Sequence, residues 1–270
     1  MINLSNLISQ TREEGYVGIN AEAKVCQDII LKGISESSLN RHITVKGGVV
    51  MRSITGDTRR ATVDIDLDFI KYSLEENSIR KFIDTINVVE GVKIESVGEI
   101  EELSQQEYKG KRVYIRITDR EGNQISSKMD LGVHVNMDIA QEKYCFDICV
   151  DDEGVSLLIN SKEQIFTEKL RSLLRFGMFS TRYKDVFDMY YLSSLVDKER
   201  LMQCIDIYII KDTEMKENSI DEICNRVEST FCSRLYRDNI TRTKKSNWLN
   251  INVKDVLDNL LKYLRALNYK

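Results

Sequence analysis

Asp64, Asp66 and Asp68 occupy alternate positions in Asp64-Ile65-Asp66-Leu67-Asp68-Phe69. Side chains alternate sides along extended backbone, so a strand here projects all three carboxylates from one face and Ile65, Leu67 and Phe69 from the other. Carboxylates held within about 6 Å raise one another's pKa unless a metal or a basic group neutralises them. Three readings compete. A solvated strand face is the plainest, but aspartate is disfavoured in strands and in-line like charges repel. A calcium loop is the second, because Asp64, Asp66, Asp68 and Glu75 fall at positions one, three, five and twelve of an EF-hand. Its sixth position is Phe69, however, where that loop needs glycine for its sharp turn. The third is a magnesium site for phosphoryl chemistry, since magnesium takes a few carboxylates and completes its shell with substrate phosphates. Apolar alternation and carboxylate spacing together favour this last reading.

Other groups extend the chemistry. Lys46-Gly47-Gly48 follows the strand-like Ile43-Thr44-Val45 and precedes a helical Val49-Val50-Met51-Arg52. Glycines between a strand and a helix let backbone N–H groups approach phosphate oxygens, and the helix start adds a favourable dipole. Downstream, Met129, Leu131, Val133, Val135 and Met137 share one strand face, leaving Lys128, Asp130, Gly132, His134 and Asn136 on the other. If that strand lies beside the Asp64 strand, Asp130 sits across from Asp64 or Asp66 as a further carboxylate. In the second half, Thr167-Glu168-Lys169-Leu170-Arg171 falls on one helix and Arg182-Tyr183-Lys184-Asp185-Val186-Phe187-Asp188 opens the next. Asp185 and Asp188, three apart, share a helix face. Charge pattern alone makes these a surface salt-bridge pair.

Stepping outward to the elements that must hold these groups, helical spacing predicts a helix over 21–35, a short strand at 43–45, and a strand over 62–69. A helix at 78–88, a strand at 92–97, and a hairpin with arms 113–117 and 129–135 follow. Asp151-Asp152-Glu153-Gly154 reads as a turn and the pattern beyond it is helical, which places a domain boundary near 155. Ser161 with Gln164 forms a capping box, Gly177 closes that helix, and amphipathic stretches follow at about 199–210, 219–236 and 253–267.

Composition narrows the classes. At 42% hydrophobic residues the 270-residue chain can build ordinary packed cores, while no apolar run approaches the roughly 18 residues of a membrane helix. Met1-Ile2-Asn3-Leu4-Ser5 lacks the blocks of a signal peptide, so a cytoplasmic location is expected. The six cysteines form no C-x-x-C pair and only two histidines exist, which disfavours zinc and points to a hard ion held by oxygen. A net charge of −4 argues against broad affinity for nucleic acid, though Arg237, Arg242, Lys244, Lys245 and Trp248 form a local basic and aromatic stretch, more readily read as a solvated loop. Walker A and protein-kinase motifs are absent.

Taken in order, Lys46-Gly47-Gly48, Arg60-x-Thr62-x-Asp64-Ile65-Asp66, Glu168-Lys169-Leu170 and Arg182-x-Lys184-Asp185-x-x-Asp188 resemble the AbiEii/AbiGii family of nucleotidyltransferase-like toxins. The resemblance implies an α+β chain, with a DNA polymerase β-like nucleotidyltransferase core and mixed sheet over 1–154 and an α-helical C-terminal domain over 155–270. It implies a toxin of a toxin–antitoxin or abortive phage-infection system, with an antitoxin encoded next door. The implied activity is magnesium- or manganese-dependent transfer from a nucleoside triphosphate to an RNA acceptor, a tRNA end being one candidate. The alternatives are a toxin that binds nucleotide or RNA without chemistry and a metal-dependent nuclease. Carried over by position, Asp64 and Asp66 match the metal-binding pair, Gly47 and Gly48 the phosphate-side turn, and Lys169 the lysine that contacts phosphates. Asp185 matches the second acidic residue needed for activity, with Arg182, Lys184 and Asp188 in flanking positions. Asp130 completes the metal and catalytic carboxylates, and Asp68 is extra. Many such enzymes show Gly-Ser at the turn; here hydroxyl help to a phosphate falls to Ser53, and the long segment 56–60 is expected to loop over the nucleotide.

Overall fold

The structure, a computed structural model, describes residues 2–103, 110–136 and 138–268. Two compact units divide the chain at 160/161. In the first, helices α1 (Leu4–Glu13) and α2 (Ile19–Glu36) lead into β1 (Ile43–Lys46) and α3 (Gly47–Thr55). Then come β2 (Ile65–Phe69), α4 (Glu76–Ile86), β3 (Val92–Leu103), β4 (Gly110–Asp119), β5 (Gln124–Val133), β6 (Glu142–Ile148) and β7 (Asp151–Ile159). Among the described residues the seven strands form one mixed sheet in the order β3-β4-β5-β2-β1-β7-β6. The fold class is α+β, as expected.

The central strands bury their apolar face fully, and their sequences show why. Ile65, Leu67 and Phe69 of β2 are fully buried, as are Val45 of β1 and Met129 and Leu131 of β5. Helix α2 supplies Val25, Ile29, Ile30 and Ile34 at helical spacing, all fully buried. Helix α4 adds Ile79, Phe82, Ile83 and Ile86, with Phe82 packed edge-on to Phe69 at 5.1 Å between ring centres.

Two expectations need correction. The strand starts at Ile65, not Thr62, so Asp64 stands just ahead of β2. The Asp151–Gly154 segment is not a turn: residues 149–150 turn, and Asp151 opens β7, which pairs with β6 and lies parallel to β1. Gly154 at φ +68° marks a shift in register, and a Cβ there would meet the Phe146 carbonyl oxygen at 2.5 Å. A bulged strand rich in acidic residues therefore read as a turn. Of the β5 face, Met137 lies outside the described residues.

The second unit holds helices and no strand among the described residues: α5 (Lys162–Phe176), α6 (Tyr183–Leu192), α7 (Lys198–Ile205), α8 (Ile220–Cys232), α9 (Arg234–Arg242) and α10 (Val253–Ala266). Ser161 caps α5 by accepting from the Gln164 N–H at 3.1 Å, and Gly177 ends it at φ +51°. The expected 219–236 stretch breaks at Ser233, whose extended backbone separates α8 from α9. Among the described residues no helix is long and apolar enough to cross a membrane.

Candidate active site

In the first unit β1 and β2 are antiparallel with Lys46 opposite Asp66, while β2 and β5 are parallel with Asp66 opposite Asp130. One row across three strands therefore reads Lys46, Asp66, Asp130. The next row carries Asp68 opposite Gly132, and Gly132 is required there because a Cβ would strike the Asp68 carboxylate. The expected alignment of Asp130 with the aspartate strand is present at Asp66.

The glycine turn is shaped around Asp66. Gly47 holds φ +63°, a left-handed conformation that L side chains rarely adopt, and a Cβ on it would collide with Asp66 Oδ2. Gly48 donates its backbone N–H to the Asp66 carboxylate. A Cβ on Gly48 would lie 2.6 Å from Thr62 Oγ1. The turn thus presses on both Asp66 and the segment leading to Asp64.

That segment is held from below. Gln27 Nε2 donates to the carbonyls of Thr62 (2.9 Å) and Val63 (3.3 Å), and its Oε1 accepts from Arg52 Nη1 at 2.7 Å. Arg52 also pairs with the fully buried Asp28 at 3.2 Å, which pairs in turn with Lys24. These polar residues interrupt the apolar stripe of α2, the one sequence signal that could have revealed them.

Each neighbouring carboxylate meets a cation. Arg112 grips Asp130 with two hydrogen bonds of 2.8 Å, and that grip raises the guanidinium's own pKa. Lys128 Nζ lies 3.2 Å from Asp64 and Lys46 Nζ lies 2.6 Å from Asp68, which is itself buried. Asp66 differs. Burial, then the negative fields of Asp130 and Asp64, push its carboxyl above the ordinary value despite Lys46 and the Gly48 N–H.

Among the described residues no three His, Cys, Asp or Glu side chains already enclose an ion site. The donor set nonetheless fits a hard divalent cation. Asp64 and Asp66 offer oxygen, Gly47 lets the Asp66 carboxylate lie where a Cβ would otherwise stand, and Asp66 carries an ionisation its surroundings oppose. Asp130 could join only through lone pairs that Arg112 leaves unused.

Ser53 is half-buried five residues beyond Gly48, about 7.5 Å along the helix. It lines a cleft of about 360 Å3 with Glu14, Tyr16, Lys24, Arg52 and Thr58. The segment 56–60 forms a short turn at Thr58–Arg60, with Asp57 accepting from the Arg59 N–H and side chain, and Arg60 is buried.

In the helical unit Lys169 on α5 points its ammonium at Asp185 (2.7 Å) and Asp188 (2.9 Å) on α6. Asp188 is fully buried and also accepts from Trp248 Nε1 at 3.0 Å. The motif is thus a buried triad, not a surface pair. Arg182 is exposed at the start of α6 and Lys184 is half-buried beside Asp185. Trp248 is 3% exposed and packs on Tyr191, so it is a core residue and offers no stacking face to nucleic acid.

A sheet carrying Asp66, with Asp64 just ahead of its strand, beside a glycine turn and followed by a helical unit with a Lys–Asp motif, is the layout of a nucleotidyltransferase. The family model described as "Nucleotidyl transferase AbiEii toxin, Type IV TA system" matches residues 29–249, and the chain belongs to that family. Among solved structures, an antigenic nucleotidyltransferase-like protein from Paracoccidioides brasiliensis is similar at 15% identity and a TM-score of 0.43, over 87% of this chain and 96% of that one. No curated protein matches the chain.

Proposed function

We propose that this nucleotidyltransferase toxin transfers a nucleoside monophosphate from a nucleoside triphosphate to an RNA acceptor, a tRNA end being one candidate. The observation that supports it is the Lys46–Asp66–Asp130 row at the Gly47-Gly48 turn. Asp64 and Asp66 would hold magnesium or manganese, which supplies charge neutralisation along the triphosphate. Gly47 and Gly48 give a phosphate close access to backbone N–H groups. Asp130, oriented by its two hydrogen bonds from Arg112, takes the proton of the acceptor hydroxyl as that oxygen bonds to the α-phosphorus. The bond to pyrophosphate breaks and pyrophosphate leaves. Lys169 serves as the phosphate-side cation of the helical unit, and Asp185 orients it. The neutralising partner is an antitoxin from the neighbouring gene.

The pairing of Asp64 with Lys128 and of both Asp130 oxygens with Arg112 favours a second reading, a toxin that sequesters nucleotide or RNA without chemistry. Growth inhibition separates them: Asp64→Ala together with Asp66→Ala should abolish toxicity. Undiminished toxicity of that double variant overturns the transferase reading, and RNA that shortens in the wild type would point to a nuclease.

A further inference from the structure

The net charge of −4 hides an asymmetry: residues 161–270 hold 20 Lys and Arg against 16 Asp and Glu. Within this cationic half, the turn after α5 exposes Phe176, Met178 and Phe179, the last at 70%. The turn is built, not frayed. Gly177 and Ser180 are buried, and the Ser180 N–H donates to the Gly177 carbonyl at 3.0 Å. Arg226 lies against Gly177, where a Cβ would come 2.7 Å from its Nη2, and its Nε donates to the Leu174 carbonyl at 3.3 Å. Ser233 Oγ reaches Met178 Sδ at 3.7 Å, which sets Arg234 and half-exposed Leu235 beside the turn.

Four arginines therefore border the exposed side chains: Arg175, Arg182, Arg226 and Arg234, all exposed. Arg175 meets Glu214 at 3.2 Å and Arg234 meets Asp238 at 3.8 Å, both solvent-exposed pairs that phosphate can displace. Single exposed apolar residues are ordinary, but two phenylalanines and a methionine in one turn ringed by arginine match the chemistry of single-stranded nucleic acid. Bases stack on aromatic faces while cations follow the backbone.

We infer that the 176–182 turn docks single-stranded RNA, with Phe179 as the stacking face and Arg182 and Arg234 as phosphate contacts. The inference deepens the acceptor reading above and rests on it. The turn runs directly into α6, where the Asp185 N–H bonds the Arg182 carbonyl at 3.0 Å, so a strand held here is led to the Lys169–Asp185 pair.

The test is fluorescence anisotropy of the full chain with a labelled single-stranded RNA of about 12 nucleotides across a salt series. Phe179→Ala should weaken binding by about 5- to 100-fold, since one stacked base is lost, and Phe179→Trp should restore it. Arg234→Gln should lower the slope of log Kd against log salt by about 0.7. Unchanged affinity in Phe179→Ala overturns the inference, including the case where that variant loses a protein partner instead. Nucleotide addition separates the two levels. If the wild type adds no nucleotide but loses RNA on Phe179→Ala, the docking site stands and the transferase reading falls. If Phe179→Ala adds nucleotide with an unchanged KM for RNA, the docking site falls and the transferase reading stands.

Discussion

Asp66 and Asp130 face each other directly across the parallel strands β2 and β5, two carboxylates in one row of the sheet. Adjacent strands lie about 4.8 Å apart, so the pair repels unless a cation stands between or beside them. Burial, Asp130 and Asp64 together raise the Asp66 carboxyl, which means its ionised form opposes folding at neutral pH. Asp66→Asn should therefore raise Tm by about 2–4 °C, the equivalent of about 1 kcal/mol in a chain of this size. Manganese or magnesium should raise the Tm of the wild type and leave that of Asp66→Asn unmoved. Thermal scans with and without metal check both, and a destabilised Asn variant speaks against the strained pair.

Gly47 and Gly48 should not tolerate side chains. Gly47→Ala combines a left-handed backbone with a collision at Asp66, and Gly48→Ala pushes on Thr62, so each should lose about 1–3 kcal/mol and most activity. Urea unfolding measures the first effect and nucleotide transfer the second. Full activity in Gly47→Ala would show that the turn does not shape the Asp66 site.

The Lys169 triad separates stability from chemistry. Asp188 is fully buried between Lys169 and Trp248, so Asp188→Ala takes a buried partner from both the ammonium and the indole N–H, while Asp185 stays on Lys169, and should lose about 3 kcal/mol. Asp185, at the edge of the same triad, should lose roughly 1–2 kcal/mol on truncation yet abolish transfer. Equal stability losses at both positions, read by urea melts, would contradict this division.

The first unit should also carry a defined acid sensitivity at Asp119. Burial pushes its carboxyl up, but hydrogen bonds from the Asn123 amide and from the backbone N–H groups of Leu4, Asn123 and Glu121 outweigh burial and lower it. A lowered pKa contributes stability above the unfolded value of 3.8 that is lost as pH falls through the folded value. At pH 7 Asp119→Asn should be less stable by about 1–2 kcal/mol, and the gap should close as pH drops below 3.8. A gap that does not change with pH sinks the assignment.

What the sequence made legible followed from local pattern. Apolar alternation in β2 and β5 located Asp66 and Asp130 on compatible faces, and Ser161, Gln164 and Gly177 marked both ends of α5. Long-range polar contacts were not legible. Nothing local announces that Gln27 clamps the Thr62 carbonyl, that Arg112 grips Asp130, or that Trp248 is drawn into the core by Asp188. The β6–β7 hairpin was lost because Gly154 bulges a strand whose opening residues are acidic, and a bulge imitates a turn.

The most direct measurement is incubation of the purified protein with total bacterial RNA, magnesium and each of the four α-labelled nucleoside triphosphates, beside Asp64→Ala. Label entering a discrete RNA band with the intact protein and not with Asp64→Ala is the expected result, and it names both nucleotide and acceptor. Label in no band, with nucleotide and RNA still bound, contradicts transfer and leaves a toxin that acts by holding its ligands.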